Sequence, residues 1–302
     1  MTPQKISIIG CGRVGTALAV FLSKAGYNIA ALTSRTRSSA EKTATAIRSV
    51  VENSSDYNEL KISSSAVEAA KAGDIIFITT PDNLIESVCS DLSSNIGVDM
   101  AGKTLFHCSG ALSSCVLASA ADNGADTGSI HPLQSFAPYS QGEKSPFKGI
   151  NISVEGSQTA LAIGKELINA LEANQFTIPT DAKTLYHAAA VVASNYLVTV
   201  ENFAIELLKE AGIDEQKGYE ILEPLIQGTL NNIKTKGAVA ALTGPVARGD
   251  ISIVEKHLID INEKVPEFST LYRIIGQYTL KLAEKRGELD QISIKGLTDI
   301  FY

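Results

Sequence analysis

Gly10-Cys11-Gly12-Arg13-Val14-Gly15 fits Gly-x-Gly-x-x-Gly immediately after a short β-type run at 5–9 and at the mouth of a helical pattern over 14–25. In such a motif Gly10 permits a tight turn, Gly12 lets a pyrophosphate approach the backbone, and Gly15 lets the helix lie close on the strand. Arg13 and Val14 stand where a helix N-terminus offers free N–H groups and a positive dipole end to phosphate. The plainer reading is a tight turn without a ligand. The strand before, the helix after and a second strand over 28–33 favour a dinucleotide.

The end of that second strand bears on which dinucleotide. An acidic residue there would hold the ribose hydroxyls of NAD, but the chain reads Thr33-Ser34-Arg35-Thr36-Arg37. Ser34 can donate to a 2′-phosphate, and Arg35 or Arg37 can pair with it through a planar guanidinium. NADP is expected, with Arg37 more readily explained as a solvated charge. Thr79-Thr80-Pro81-Asp82 closes the next buried run. Thr80 and Pro81 are expected on the nicotinamide-ribose side, unless Pro81 only stops the strand.

Two further strand ends carry polar groups, His107-Cys108-Ser109-Gly110 and His131-Pro132-Leu133-Gln134-Ser135-Phe136. A histidine at the carboxyl edge can exchange a proton with a hydroxyl or amine near neutral pH, as hydride transfer to or from carbon requires. His131 is the first candidate, with Ser109 orienting the reacting oxygen and Gln134 contacting substrate. His107 reads better as a satisfied structural residue. On a helix through 181–208, His187, Ser194 and Glu201 recur at steps of seven with Asn195 beside them, a polar stripe that needs partners or a wet cleft. His187 and Asn195 are catalytic candidates, against a helix face bonded to its neighbours. Arg248, in Thr243-Gly244-Pro245-Val246-Ala247-Arg248-Gly249-Asp250, could clamp an anion or pair with Asp250, which also suits a helix cap.

The elements that must position these groups alternate β-type and helical runs through the first half, the pattern of a parallel sheet covered by helices. Strands are expected at 5–9, 28–33, 60–62, 74–79, 103–107, 127–130, 151–154 and 175–178. Helices are expected over 14–25, 38–50, 65–72, 112–122 and 159–173, and a polar loop spans 53–58. Beyond residue 180 the periodicity is helical throughout. The expected architecture is an α/β dinucleotide-binding domain over 1–180 followed by an all-helical domain over 181–302, for substrate and dimerisation.

The 302 residues hold 26 Lys plus Arg against 33 Asp plus Glu, a net charge of −7, and neither half is basic: 13 against 16 through residue 180, 13 against 17 after it. A surface of that sign argues against nucleic acid. Uninterrupted apolar runs stop short of the roughly 20 residues a bilayer demands, and the N-terminus lacks a secretory pattern, so no membrane span and a cytoplasmic location are expected. Cys11, Cys89, Cys108 and Cys115 form no Cys-x-x-Cys pair, and the four histidines show no ligand spacing, so neither disulfides nor a metal site are expected.

Segments 10–15, 34–35, 131–136, 186–196 and 243–250 together resemble a family that joins a Rossmann-like domain to a C-terminal domain of unknown function, number 2520. That resemblance implies an NADP-binding oxidoreductase-like fold with a mostly helical second domain. More distantly the chain is similar to prephenate dehydrogenase and the class that includes 6-phosphogluconate dehydrogenase and pyrroline-carboxylate reductase. There a strand-end His-Pro carries the catalytic histidine and a serine ending the preceding strand holds substrate, as His131-Pro132 and Ser109 would here. The chain departs from that pattern at Gly110-Ala111, where prephenate dehydrogenase has a lysine. The Lys-x-x-x-Asn pair of the hydroxyacid dehydrogenases is also incomplete, with Asn195 present and Val191 at the lysine position. The expected function is an NADP(H)-dependent oxidoreductase acting on a small anionic metabolite in a cleft between the halves, as a homodimer through the helical domain. The alternative is a non-catalytic NADP sensor or scaffold.

Overall fold

The computed structural model describes residues 4–51, 60–95 and 99–302, and the polar stretch 53–58 lies outside them. The chain divides into two compact units, Met1–Ser194 and Asn195–Tyr302. The first alternates β1 (Lys5–Ile9), α1 (Arg13–Lys24), β2 (Asn28–Thr33), α2 (Arg37–Val50), β3 (Lys61–Ile62), α3 (Ala66–Ala72), β4 (Ile75–Ile78), α4 (Asp82–Ser94) and β5 (Thr104–His107). It continues through α5 (Ala118–Ala121), β6 (Asp126–Pro132), β7 (Asn151–Gly156), α6 (Gln158–Ala170), β8 (Asn174–Thr177) and α7 (Lys183–Val191). The eight strands form one sheet in the order β3-β2-β1-β4-β5-β6-β7-β8. This is a Rossmann-type sheet whose order reverses between β1 and β4, the crevice where open α/β sheets bind ligands.

The strands form here because their residues bury both faces. In β1, Ile6 and Ile8 join the core that holds Leu18 and Leu22 of α1, while Ile9 joins the opposite one; in β4, Ile75 and Phe77 alternate with Ile76 and Ile78 in the same way. A two-residue period places successive side chains on opposite faces. Each such fully buried Ile or Phe contributes about 1.5–3 kcal/mol.

One strand pair departs from the expected parallel sheet. β6 and β7 are antiparallel, with His131 opposite Ser153. No helix intervenes between them, and a parallel return needs a crossover. The segment expected to be a helix over 112–122 is a 3₁₀ turn, Ser114–Leu117, followed by the short α5, and α4 was not anticipated after Pro81.

The division after Ser194 lies beyond the boundary expected at 180. Residue 180 marks where strands end, but α7 is bonded to the sheet through Lys183 and Tyr186 and so belongs to the first unit. A π turn, Val192–Tyr196, follows α7. Its wider turn shifts the helical phase, so steps of seven across it do not define one face. The helical run Thr180–Glu210, 31 residues, is long and apolar enough to cross a membrane by length and composition, with 6% of its apolar window buried. That corrects the expectation drawn from uninterrupted runs, because length and mean hydropathy are read over the whole helical run, polar interruptions included.

The second unit is helical: α8 (Leu197–Glu210), α9 (Glu215–Ala241), α10 (Pro245–Arg248), α11 (Ile251–Lys264), α12 (Ser269–Arg286) and α13 (Gln291–Phe301). One of its cores gathers Val254, Leu280, Leu297 and Phe301; in another Phe203 stacks on Phe268 at 4.6 Å.

Candidate active site

The glycine loop divides its labour as the motif requires. A Cβ on Gly10, whose φ is +111°, would meet the Thr79 carbonyl carbon at 2.7 Å; one on Gly15 would meet the Gly10 carbonyl oxygen at 2.0 Å. Both positions are closed by protein. Gly12 has nothing within 4 Å of where its Cβ would be. Its bare face is open beside the N-terminus of α1, where unbonded N–H groups gather. A cavity of about 310 Å³ adjoins it, lined by Gly12, Arg13, Thr16, Lys42 and Tyr139 among others. Val14 is half-buried against the core, so its contribution to a ligand is its backbone N–H.

At the end of β2, Ser34 Oγ accepts from the Cys11 N–H at 3.4 Å, which brings the β2 end to the glycine loop. Arg35 is exposed and makes no ion pair among the described residues, whereas Arg37 pairs with Glu41 at 2.9 Å. Thr80 Oγ1 is a buried hydroxyl without a hydrogen-bond partner. An open glycine face, a free guanidinium and an orphaned hydroxyl along one sheet edge fit a phosphorylated dinucleotide such as NADP. Pro81 is the N-cap of α4 and exposed, so it both ends the strand run and opens on that edge.

Hydrogen bonds tie this edge to the neighbouring strand ends. Ser109 Oγ donates to Asp82 Oδ2 at 2.7 Å and accepts from the Ala111 and Leu112 N–H groups at 3.1 and 3.0 Å. That hydroxyl's single proton is committed. Ser109 therefore shapes the loop, in place of the expected role of orienting a reacting oxygen. His107 is fully buried; its Nδ1 accepts from the Ser109 N–H at 3.1 Å, which assigns the hydrogen to Nε2, 3.2 Å from the Ser113 carbonyl. It is the satisfied structural histidine.

His131 lies one strand further along. Its Nδ1 is 2.8 Å from Tyr186 Oη, and its ring meets those of Tyr186 and His187 edge-on, with centroids at 5.5 and 6.3 Å. A Cβ on Gly110 would come within 2.7 Å of both His131 Nε2 and His187 Cδ2, so the bare Gly110 lets two imidazoles close on the β5 loop. From β1 to β6 the sheet takes three strand spacings, roughly 14 Å. The glycine loop and His131 thus share the carboxyl edge, separated by the width an extended dinucleotide crosses.

Sequence reasoning missed Lys183. This lysine is 2% exposed, and its Nζ donates to the Ser109 carbonyl and to Ser129 Oγ, both at 2.8 Å. It makes no ion pair among the described residues. A signal was present: a cation in the first turn of a helix opposes the dipole, so α7 would not begin with lysine unless another partner held it. Buried Glu155, also missed, accepts from the Ser114 N–H and Ser114 O–H at 2.7 Å each and from Thr180 Oγ1 at 3.1 Å. A lone glutamate in the apolar strand Asn151–Gly156 was its trace.

Electrostatics revise the expected proton chemistry. Burial, then the Lys183 charge, then His187, push His131 down to about 4. Burial followed by Lys183 takes His107 to about 4 as well. Burial raises Tyr186, with Ser153 opposing, and lifts the Cys108 thiol to about 12. At neutral pH His131 is therefore a neutral imidazole, able to donate a hydrogen bond and pass a proton to or from Tyr186, and not a base poised near 7.

The remaining candidates have local partners. Gln134 Oε1 accepts from the Ser135 N–H at 2.9 Å. Arg248 Nε and Nη2 reach Asp250 Oδ2 at 2.9 and 2.8 Å, the pairing that was the alternative to an anion clamp, and it leaves Asp250 making no side-chain cap on α11. Asn195 is exposed in the π turn of the second unit. All four cysteines are free, and no group of metal-binding side chains occurs among the described residues.

Residues 5–101 match the family model described as NADP oxidoreductase, coenzyme F420-dependent, and residues 150–279 match a domain of unknown function, DUF2520. None of the curated proteins matches the chain. Among solved structures, a protein from Thermotoga maritima is 27% identical over 94% of this chain and 100% of its own, with a TM-score of 0.68. A Bacteroides fragilis protein provisionally named an NADP oxidoreductase is 22% identical over 92% of this chain and 98% of its own, with a TM-score of 0.74. A reductive aminase from Aspergillus terreus, in complex with NADPH and ethyl levulinate, shares 19% identity over 100% of both chains, with a TM-score of 0.65. The chain thus joins a segment that matches the NADP oxidoreductase family model to one that matches DUF2520.

Proposed function

We propose that the protein is an NADP(H)-dependent reductase of a small polar, anionic metabolite, working at the carboxyl edge between the glycine loop and His131. The observation that carries this reading is the open face of Gly12 on the same edge as the His131–Tyr186 pair. The dinucleotide, when bound, supplies or accepts a hydride. Gly12 and the first turn of α1 would receive its phosphates, Ser34 and Arg35 its 2′-phosphate, and Thr80 its nicotinamide ribose.

The chain's own residues handle the proton. We assign the Tyr186 O–H as donor to His131 Nδ1, which leaves the hydrogen on Nε2. His131 then holds the reacting heteroatom as a neutral donor, and Tyr186 refills it. His187 lines the same loop. The test combines NADPH titration with turnover in His131→Ala: NADPH affinity stays unchanged and turnover is lost. NADPH binding with no turnover by the native chain on any carbonyl, imine or hydroxyacid would favour the sensor.

The end of the π turn and helices α8 and α9 expose Tyr196, Val198, Tyr219, Ile221 and Leu225. An apolar face of that extent favours association, and a homodimer through the helical unit is our reading of it. We read the run Thr180–Glu210 as part of that interface, because Lys183 and Tyr186 at its start are bonded into the sheet unit. On that reading we propose a cytoplasmic location, and the protein should remain in the supernatant when membranes are sedimented.

A further inference from the structure

We propose that the acceptor reduced at this site is a carbonyl and not an iminium cation, because a buried, unpaired ammonium stands behind the residues that meet the reacting heteroatom. The inference rests on the NADPH-dependent reductase reading above.

The two reductions differ in the charge they develop. Hydride added to a carbonyl carbon moves the π pair onto oxygen and builds negative charge there; a proton then completes the alcohol as the dinucleotide is oxidised. Hydride added to an iminium carbon moves the π pair onto nitrogen and removes a positive charge. A fixed cation nearby favours the first transition state and opposes both the binding and the reactive polarisation of the second.

Lys183 supplies that cation. Its Nζ is held by the Ser109 carbonyl and Ser129 Oγ, one residue before Gly110 and two before His131 respectively. Burial lowers its pKa, while the Glu155 and Asp82 carboxylates act in the opposite direction and support the charged form. Two carboxylates act on the ammonium without forming an ion pair with it, and their own hydrogen bonds come from neutral donors. Asp82 Oδ2 takes the Ser109 O–H, and both Glu155 oxygens take donors from Ser114 and Thr180. The other groups packed around His131 are Tyr186, Ser153, His107 and His187, none of them anionic in this setting. Lys183 is the first charge to act on the His131 ring, ahead of His187, and it adds to burial in keeping the ring neutral.

Lys183 touches neither substrate nor cofactor in this account and acts as a positioning residue, so its readout is a selectivity. The purified full chain would first be titrated with NADPH by fluorescence. NADPH oxidation would then be followed with matched pairs: 1-pyrroline, protonated at neutral pH, beside ketones, aldehydes and 2-oxoacids of similar size. Carbonyl kcat/KM should exceed that for the iminium by about tenfold or more. Lys183→Gln should erase most of that ratio by slowing carbonyl reduction, while Lys183→Arg should retain it. Reduction of 1-pyrroline as efficiently as the carbonyls overturns the inference. NADPH binding with no carbonyl turned over also overturns it while leaving the nucleotide site standing, and failure to bind NADPH removes the reductase reading itself. The wild-type pairs decide the matter even if Lys183→Gln does not fold.

Discussion

Replacing Gly12 with alanine separates nucleotide binding from folding more sharply than any other change in the loop. Gly12 has φ −81° and ψ −165°, a conformation alanine adopts freely, and no protein atom lies within 4 Å of the new methyl. The gain from a less flexible unfolded chain, about 0.4–1 kcal/mol, is set against a poorer N-cap, so the free protein should change by less than about 1 kcal/mol. In the complex the methyl would occupy the approach of the pyrophosphate. If its cost resembles overpacking, about 1–3 kcal/mol, NADPH affinity falls by roughly 5- to 150-fold. Thermal melting with and without NADPH reads both quantities. At a concentration near 100 times its Kd, NADPH stabilises the wild type by about 2.7 kcal/mol; a 30-fold loss of affinity cuts that to about 0.9 kcal/mol at the same concentration. A variant that melts as the wild type does without nucleotide, and loses most of the NADPH-induced shift, is the expected result. Retention of the full shift would show that Gly12 faces something other than phosphate, and the nucleotide assignment would fall with it.

Gly15→Ala should behave in the opposite way, destabilising the free protein at the upper end of about 1–3 kcal/mol, because its Cβ would lie 2.0 Å from the Gly10 carbonyl oxygen; chemical denaturation checks this. Arg35→Ala should weaken NADPH about tenfold or more and leave NADH unchanged, as loss of a charge-assisted bond requires, and equal losses for both would refute the 2′-phosphate role. Stability should fall on acidification between about pH 6.5 and 4. There the unfolded histidines bind protons that His107 and His131, held near 4 in the folded protein, refuse, with roughly 3 kcal/mol at stake for fully buried His107. Denaturant midpoints across that range, flattened in His107→Gln, would show it. Sedimentation at micromolar concentration should give a dimer, and Leu225→Glu on the exposed face of α9 should shift it toward monomer.

The first unit was legible in outline because two periodicities and one motif are local properties. The run Ile75–Ile78, apolar at every position, could only be a strand covered on both sides, and Gly10, Gly12 and Gly15 occupy fixed offsets after a strand. Substituting arginine for an acidic residue after β2 is also readable as a bare sequence, since its meaning lies in the charge itself. The antiparallel return of β7 was less visible, because it depends on what the connection from Leu133 to Ile150 lacks and not on a pattern within the strands.

The chemistry at His131 was only half readable. Its place at a strand end followed from the sequence, but its protonation did not, because burial and a lysine fifty-two positions away set it. Spacing could not reveal that Ser109 spends its proton on Asp82 or that a π turn breaks the phase between His187 and Asn195, and it could not decide between an anion and Asp250 as the partner of Arg248. By itself the sequence determined the strands, their succession along the chain and the nucleotide loop, all governed by short-range sterics and patterning. Tertiary structure alone decided which polar groups are spent on one another and which remain free for a ligand, because desolvation and hydrogen-bond competition depend on neighbours brought together across strands.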